Sequence, residues 1–259
     1  MADFELIGST TRSGIAVDEV EFDVAGGPAA SGYLLGMNHE DGPQPVVIGL
    51  HDERGDKASL LPDLAHLAAR GFLCLSVDGP ITRRAAAARD PLGAFMSQFR
   101  IAVTALNLLQ DQSDHTHRPR AAFLGRGLGG EVAASVAALT GHVQAVVAVA
   151  SLPDRSSFFA RSPHPLAAGL RLFHDDESIA KQVEGLREHR LVKQLEAAPS
   201  TRWLLQVADD DDRLSDEDQA LFSLSIPRTV RVKHVAHGTD LSTPQTRRAR
   251  VDFVTEMTS

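Results

Sequence analysis

The residues of this chain that could do chemistry fall in a few short stretches. One is glycine-dense, Gly125-Arg126-Gly127-Leu128-Gly129-Gly130, between the apolar run 121–124 and a small-residue run carrying Leu128, Val132, Val136 and Leu139 on one face. That pattern reads as strand, sharp turn, helix. A turn so tight needs residues that tolerate positive φ and close backbone approach, and glycine supplies both at the lowest steric cost. A second stretch, His51-Asp52-Glu53-Arg54-Gly55-Asp56-Lys57, follows the apolar run PVVIGL. A third is the aspartate run 209–212, and a fourth contains His234 and His237. No serine or cysteine stands in the glycine turn: Cys74 and Ser76 lie in the apolar run 72–77, and Ser135 lies two helical turns beyond the glycines. His174-Asp175-Asp176-Glu177 and His115-x-His117 offer metal-ligand types without an established metal spacing and read as solvated surface, so no metal and no cofactor is expected.

The elements that must position these residues alternate. Residues 17–24 and 30–37 read as two antiparallel strands around Gly26-Gly27-Pro28. Continuous apolar runs at 45–50, 72–77, 121–124, 143–150 and 203–207 read as strands covered on both faces, and 229–235 alternates. Helical spacing fills 58–70, 94–109, the run after the glycine turn, 179–195, a segment from about 216, and 245–257. Strand, helix, strand in succession predicts an α/β fold, a mostly parallel eight-stranded sheet with helices on both faces. The length suits a single domain over 1–259, with the less regular segment 151–200 interrupted by Pro153, Pro163 and Pro165.

A formal charge of −8, with the arginines scattered, disfavours nucleic acid as a partner. The single cysteine, Cys74, excludes an internal disulfide and suits a reducing compartment. The start MADFELIGSTTRSG has no basic-then-apolar pattern, and the apolar run near 145–150 is too short to span a bilayer. The expectation is a cytoplasmic protein that does not enter a membrane.

With these elements in place the chain resembles the α/β-hydrolase family, in the branch of dienelactone hydrolases and serine-aminopeptidase-like esterases. The family's nucleophile elbow is written G-x-S-x-G at a strand-to-helix junction. Here Gly125 and Gly129 match the flanking glycines, and Gly127 occupies the nucleophile position. The resemblance covers nearly the whole chain and implies further residues. VADDDDRLS is similar to the acid loop and places the triad acid at Asp211, with Asp210 and Asp212 as the off-by-one alternatives. VKHVAHGTD is similar to the histidine loop and places the histidine at His237. In such a pair the carboxylate fixes the imidazole tautomer and stabilises the imidazolium. The oxyanion hole is implied at the backbone of Leu128 and in the loop beginning at His51, where relatives present bare N–H groups and this chain has Asp52 and Glu53. A carboxylate there would oppose a developing oxyanion, unless it faces solvent or pairs with Arg54 or Arg126. In this family the segment 151–200 often forms a cap over the site.

Three readings follow. The chain is a non-catalytic or impaired hydrolase homologue that binds a small molecule or partner. Alternatively His237, backed by Asp211, acts as a general base without an acyl-enzyme, with Arg126 or Arg54 holding an anionic substrate group near His51. Or the chain is an ester hydrolase whose serine is replaced by Gly127. A small-molecule ligand or ester-like substrate is the expected partner, and the oligomeric state is open.

Overall fold

The computed structural model describes residues 4–12, 14–36, 44–53, 55–78, 89–113 and 120–258. Among them one sheet contains nine strands: β1 Glu5–Arg12, β2 Ile15–Phe22, β3 Ala30–Leu35, β4 Val46–Leu50, β5 Leu73–Val77, β6 Ala121–Arg126, β7 Val143–Val149, β8 Arg202–Ala208 and β9 Arg231–Val235. Their order is β1-β2-β3-β5-β4-β6-β7-β8-β9. The β1 to β3 meander joins β5 antiparallel, and β5-β4-β6-β7-β8-β9 are all parallel. The sequence reading has eight strands, and β1 is the addition. ELIGSTTR lacks clean alternation because Leu6 and Ile7 are adjacent and both exposed, and the register with β2 shifts between Leu6 and Gly8.

The central strands read as unbroken apolar runs because helices cover both sides. On one side Val46, Ile48, Leu50, Leu73, Leu75, Phe123 and Val146 share a core with helices α2 (Pro91–Ser113) and α3 (Leu128–Thr140). On the other, Val47, Cys74, Ala122, Leu124, Ala145 and Val147 pack on α1 (Leu61–Ala68) and α9 (Pro244–Thr258). Helix α2 starts earlier and ends later than its period suggests. Over 91–111 it is long and apolar enough to cross a membrane by length and composition alone. Here its buried stripe of Phe95, Ile101, Ala102, Ala105, Leu106 and Leu109 joins the core.

Between β7 and β8 the chain makes α4 (Arg155–Arg161), α5 (Pro165–Phe173), α6 (Asp176–Arg187) and α7 (Leu191–Ala197). The single helical segment expected at 179–195 is therefore two helices with a break at 188–190. Helix α8 (Asp216–Ser225) links β8 to β9, and a 3-10 turn (Gly238–Ser242) leads into α9.

Helix α9 is fastened by a buried ion pair. The Arg250 guanidinium donates to Asp63 on α1 through Nε (3.2 Å) and Nη2 (3.1 Å), and through Nη1 to Gln206 of β8 (3.0 Å) and the Leu241 carbonyl (2.9 Å). Both Arg250 and Asp63 are almost fully buried. Removing one partner leaves a charge without compensation inside the protein, which costs far more than the pair itself contributes. Asp63→Ala is expected to lower unfolding stability by about 3–5 kcal/mol, and Asp63→Leu combined with Arg250→Met by clearly less; urea titration followed by circular dichroism measures both.

Candidate functional site

The strand order places the site. From β4 the chain crosses through α1 to β5 on one side, then returns through α2 to β6 on the other, so neighbouring loops diverge at the carboxyl ends of β4 and β6 and leave a crevice there. Into it run His51-Asp52-Glu53 after β4 and Gly127 after β6.

The turn at Gly127 holds φ 50° and ψ −123°, a conformation L residues rarely adopt, and α3 begins at the next residue, Leu128, which is buried. The surrounding glycines are required by close packing of backbone. A Cβ on Gly129 would lie 2.2 Å from the Leu50 carbonyl oxygen, and one on Gly125 2.4 Å from the Gly129 backbone. Over Gly127 the space is also taken, but by side chains: a Cβ there would stand 2.9 Å from Asp52 Cβ and 2.9 Å from Glu53 Oε2.

Glu53 is drawn in by Arg155 of α4. Arg155 Nη1 lies 2.5 Å from Glu53 Oε1, while its Nε and Nη2 donate to Glu131 of α3 at 2.6 and 2.9 Å. Glu131 also accepts from the Leu152 N–H at 2.9 Å. Burial by itself would raise the Glu53 carboxyl. Arg155, a backbone N–H and the more distant Arg213 outweigh that and hold it below the ordinary glutamate value. Burial wins at Glu131, pushing its carboxyl up, with repulsion from Glu53 added and Arg155 pulling back. Asp52 instead lies 3.7 Å from Arg126 Nε, and Arg126 Nη1 donates to Ser242 at 3.4 Å. Arg54, the other cation considered for these carboxylates, lies outside the described residues.

The pairing expected between His237 and Asp211 is corrected. Asp211 is engaged by Arg213, whose Nε and Nη2 reach its two oxygens at 2.8 and 2.5 Å. Arg213 Nη2 also donates to the carbonyl of Ala150 at 2.6 Å, a residue held at φ 50°. His237 Nδ1 sits 3.2 Å from Asp210 Oδ2, and the Gly238 N–H donates to Asp210 Oδ1 at 2.7 Å. This dyad is open to solvent, with side chains 69% and 50% exposed. His51 is buried, with Nδ1 2.7 Å from the Asp52 carbonyl and Nε2 3.2 Å from Asp78 in an ion-pair contact. Burial pulls this imidazole down, but Asp78 and the Asp52 carbonyl outweigh it and hold its pKa above the ordinary value.

A cavity of about 180 Å³ opens on Gly127, walled by Glu53, Arg155, Arg213, Phe158 and Leu166 among others. Neither His237 nor Asp210 lines it. From the segment after β7, Leu152, Arg155, Phe158 and Leu166 contribute to this wall. A larger cavity of about 590 Å³ between α4, α7 and α8 shares Phe158 and Arg213 with it. Among the described residues no group of three or more metal-ligand side chains is assembled.

No protein-family model and no curated protein sequence matches the chain. Solved structures do. An acetyl xylan esterase from a Paenibacillus species superposes with TM-score 0.77 at 17% identity, covering 99% of this chain and 88% of that one. An esterase from Pyrococcus furiosus gives 0.65 at 14%, covering 100% and 99%. The acylaminoacyl peptidase of Pyrococcus horikoshii gives 0.69 at 12%, covering 98% of this chain and 49% of its own. This chain has the α/β-hydrolase fold.

Gly127 stands in the turn between β6 and α3, where the sequence resemblance expects the nucleophile elbow, and the loop after β4 carries the Glu53 carboxylate across that turn. Sequence reasoning singled out the glycine turn, the His51 loop and His237, but missed Arg155, Glu131 and Arg213. Glu131 gave a signal, as the one charged residue in the otherwise small and apolar helix 128–140; Arg155 gave none.

The sign of the Glu53 shift sets a pH dependence. Because its folded pKa lies below the ordinary glutamate value of 4.5, its stabilisation is fully present above that pH and is lost as pH falls through the folded value. Glu53→Gln is expected to cost roughly 1.5–3 kcal/mol at pH 7, the range for hydrogen bonds to charged groups. The gap to the parent protein should narrow in denaturant titrations taken progressively below pH 4.5.

Proposed function

We propose that this α/β-hydrolase-fold protein is a non-catalytic relative of esterases, of dienelactone-hydrolase or serine-aminopeptidase type, that binds a small molecule in the cavities beside its elbow. One observation carries the reading: the volume a nucleophile would need above Gly127 is filled by Asp52 and Glu53. Three requirements of acyl transfer fail together there. The elbow residue has no hydroxyl. The oxyanion position faces an ionised carboxylate rather than bare N–H donors, so developing negative charge would be repelled. The His237–Asp210 pair, the remaining candidate base, stands in solvent and does not line the elbow cavity.

What the site keeps is suited to holding a ligand. Leu152, Phe158 and Leu166 give apolar walls, and Arg155 and Arg213 supply fixed guanidiniums. The neighbouring 590 Å³ cavity lies in the size range of metabolite sites.

The test is hydrolysis of p-nitrophenyl acetate by the parent chain, His237→Ala, Gly127→Ser and Gly127→Ser/His237→Ala. A complete hydrolase site loses about 10⁶ in turnover without its nucleophile, so an otherwise intact site would regain a large part of that with serine. The expected result is that Gly127→Ser stays at the parent's background level. A rise that depends on His237 would overturn the reading and make the chain an ester hydrolase lacking only its serine. Hydrolysis by the parent chain that disappears in His237→Ala would instead establish general-base catalysis.

A further inference from the structure

A different part of the molecule carries a site that the hydrolase fold does not account for. Helices α1 and α9, which cover the face of the sheet away from α2 and α3, enclose between them a cavity of about 310 Å³ lined by His66, Arg70, Pro244, Arg247, Arg248 and Val251. It shares no lining residue with the elbow cavities.

Among the described residues its wall holds three guanidiniums, an imidazole and no carboxylate. The acids behind the wall do not balance them. Asp252 takes Arg70 Nη2 at 2.9 Å and lies 3.7 Å from Arg248 Nε. Asp63 is committed to Arg250 and lies 3.6 Å from Arg247 Nε. Four guanidiniums thus share two carboxylates, in a chain whose formal charge is −8. The excess is felt at Arg250, whose guanidinium is held below its ordinary value by burial first and by repulsion from Arg126 and Arg247 as well.

Donors remain to be satisfied. Arg247 Nε is enclosed without a hydrogen-bond partner, and its Nη2 reaches the Ser242 carbonyl at 3.5 Å. Arg248 meets Asp252 through Nε at 3.7 Å, too long for a hydrogen bond. His66 is oriented by its Nδ1, 2.6 Å from the Pro62 carbonyl, which leaves Nε2 as its second polar atom. The first-turn N–H groups of α9 at Thr246 and Arg247 are taken up by Thr243, so recognition here falls to side chains.

We infer that this groove binds a small phosphate-bearing anion, gripped by Arg247 and Arg248 from α9 and by Arg70 and His66 from the α1 end. Guanidiniums on two elements, with an imidazole, suit a tetrahedral dianion that offers acceptor oxygens in several directions. A planar carboxylate presents two oxygens in one direction and leaves donors unpaired. The cavity exceeds the volume of phosphate, and Pro244 and Val251 leave an apolar edge for a short organic group.

Isothermal titration calorimetry of the full chain with inorganic phosphate, at constant ionic strength in chloride buffer, tests the inference, with acetate as the carboxylate comparison. Saturable binding of one phosphate per chain is expected, with acetate at least tenfold weaker. Arg247→Gln and Arg248→Gln should each weaken phosphate about tenfold, the loss of one charge-assisted hydrogen bond. Arg231→Gln, which removes an exposed charge paired with Glu256 outside this groove, should stay within twofold of the parent. If Arg247→Gln fails to fold, Arg248→Gln decides, since its side chain is 82% exposed. Absence of saturable phosphate binding, acetate binding of equal strength, or an equal loss in Arg231→Gln would each overturn the site.

Discussion

The guanidinium of Arg155 is the interaction on which the crevice depends. It takes Glu131 from the helix behind the elbow, Glu53 from the loop after β4, and belongs itself to the segment after β7. Three pieces of chain that meet at the carboxyl ends of the central strands are thereby held in one arrangement. Such a buried cluster persists only when its charges are hydrogen-bonded on every side, because desolvation of each ion is costly. Here the Leu152 N–H completes the shell of Glu131. The closed state of the elbow is a consequence of this cluster: Glu53 lies over Gly127 because Arg155 is beneath it.

The glycine turn and the histidine loop lie in different surroundings. The turn is enclosed and charged, while His237 is at the surface with Asp210. Arg213 takes Asp211 and also donates to the Ala150 carbonyl, so the Asp211 carboxylate is engaged away from His237. The crevice is thus rich in paired ions.

What was legible in the sequence had a local cause. The glycines at 125 and 129 are dictated by backbone atoms less than 3 Å from where their side chains would be, and no other residue type satisfies that. The apolar strands were legible because both their faces are covered. The choice among Asp209 to Asp212 was not, since four identical residues carry no phase and the outcome is set by Arg213 and by Gly238 across the loop. Arg155 was invisible for the same kind of reason: its two partners come from distant parts of the chain, and only the fold brings them together. The strand β1 was hidden because it pairs with one neighbour and buries little apolar surface.

The crowding above Gly127 also imposes an order on change. A side chain at position 127 must displace Asp52 and Glu53, and moving Glu53 exposes the Arg155 cluster, so a serine introduced first meets both steric and electrostatic resistance. Loss of the loop carboxylates would have to come before it. Substitutions at 52, 53 and 127 are therefore coupled: what a side chain at 127 costs depends on which residues stand at 52 and 53.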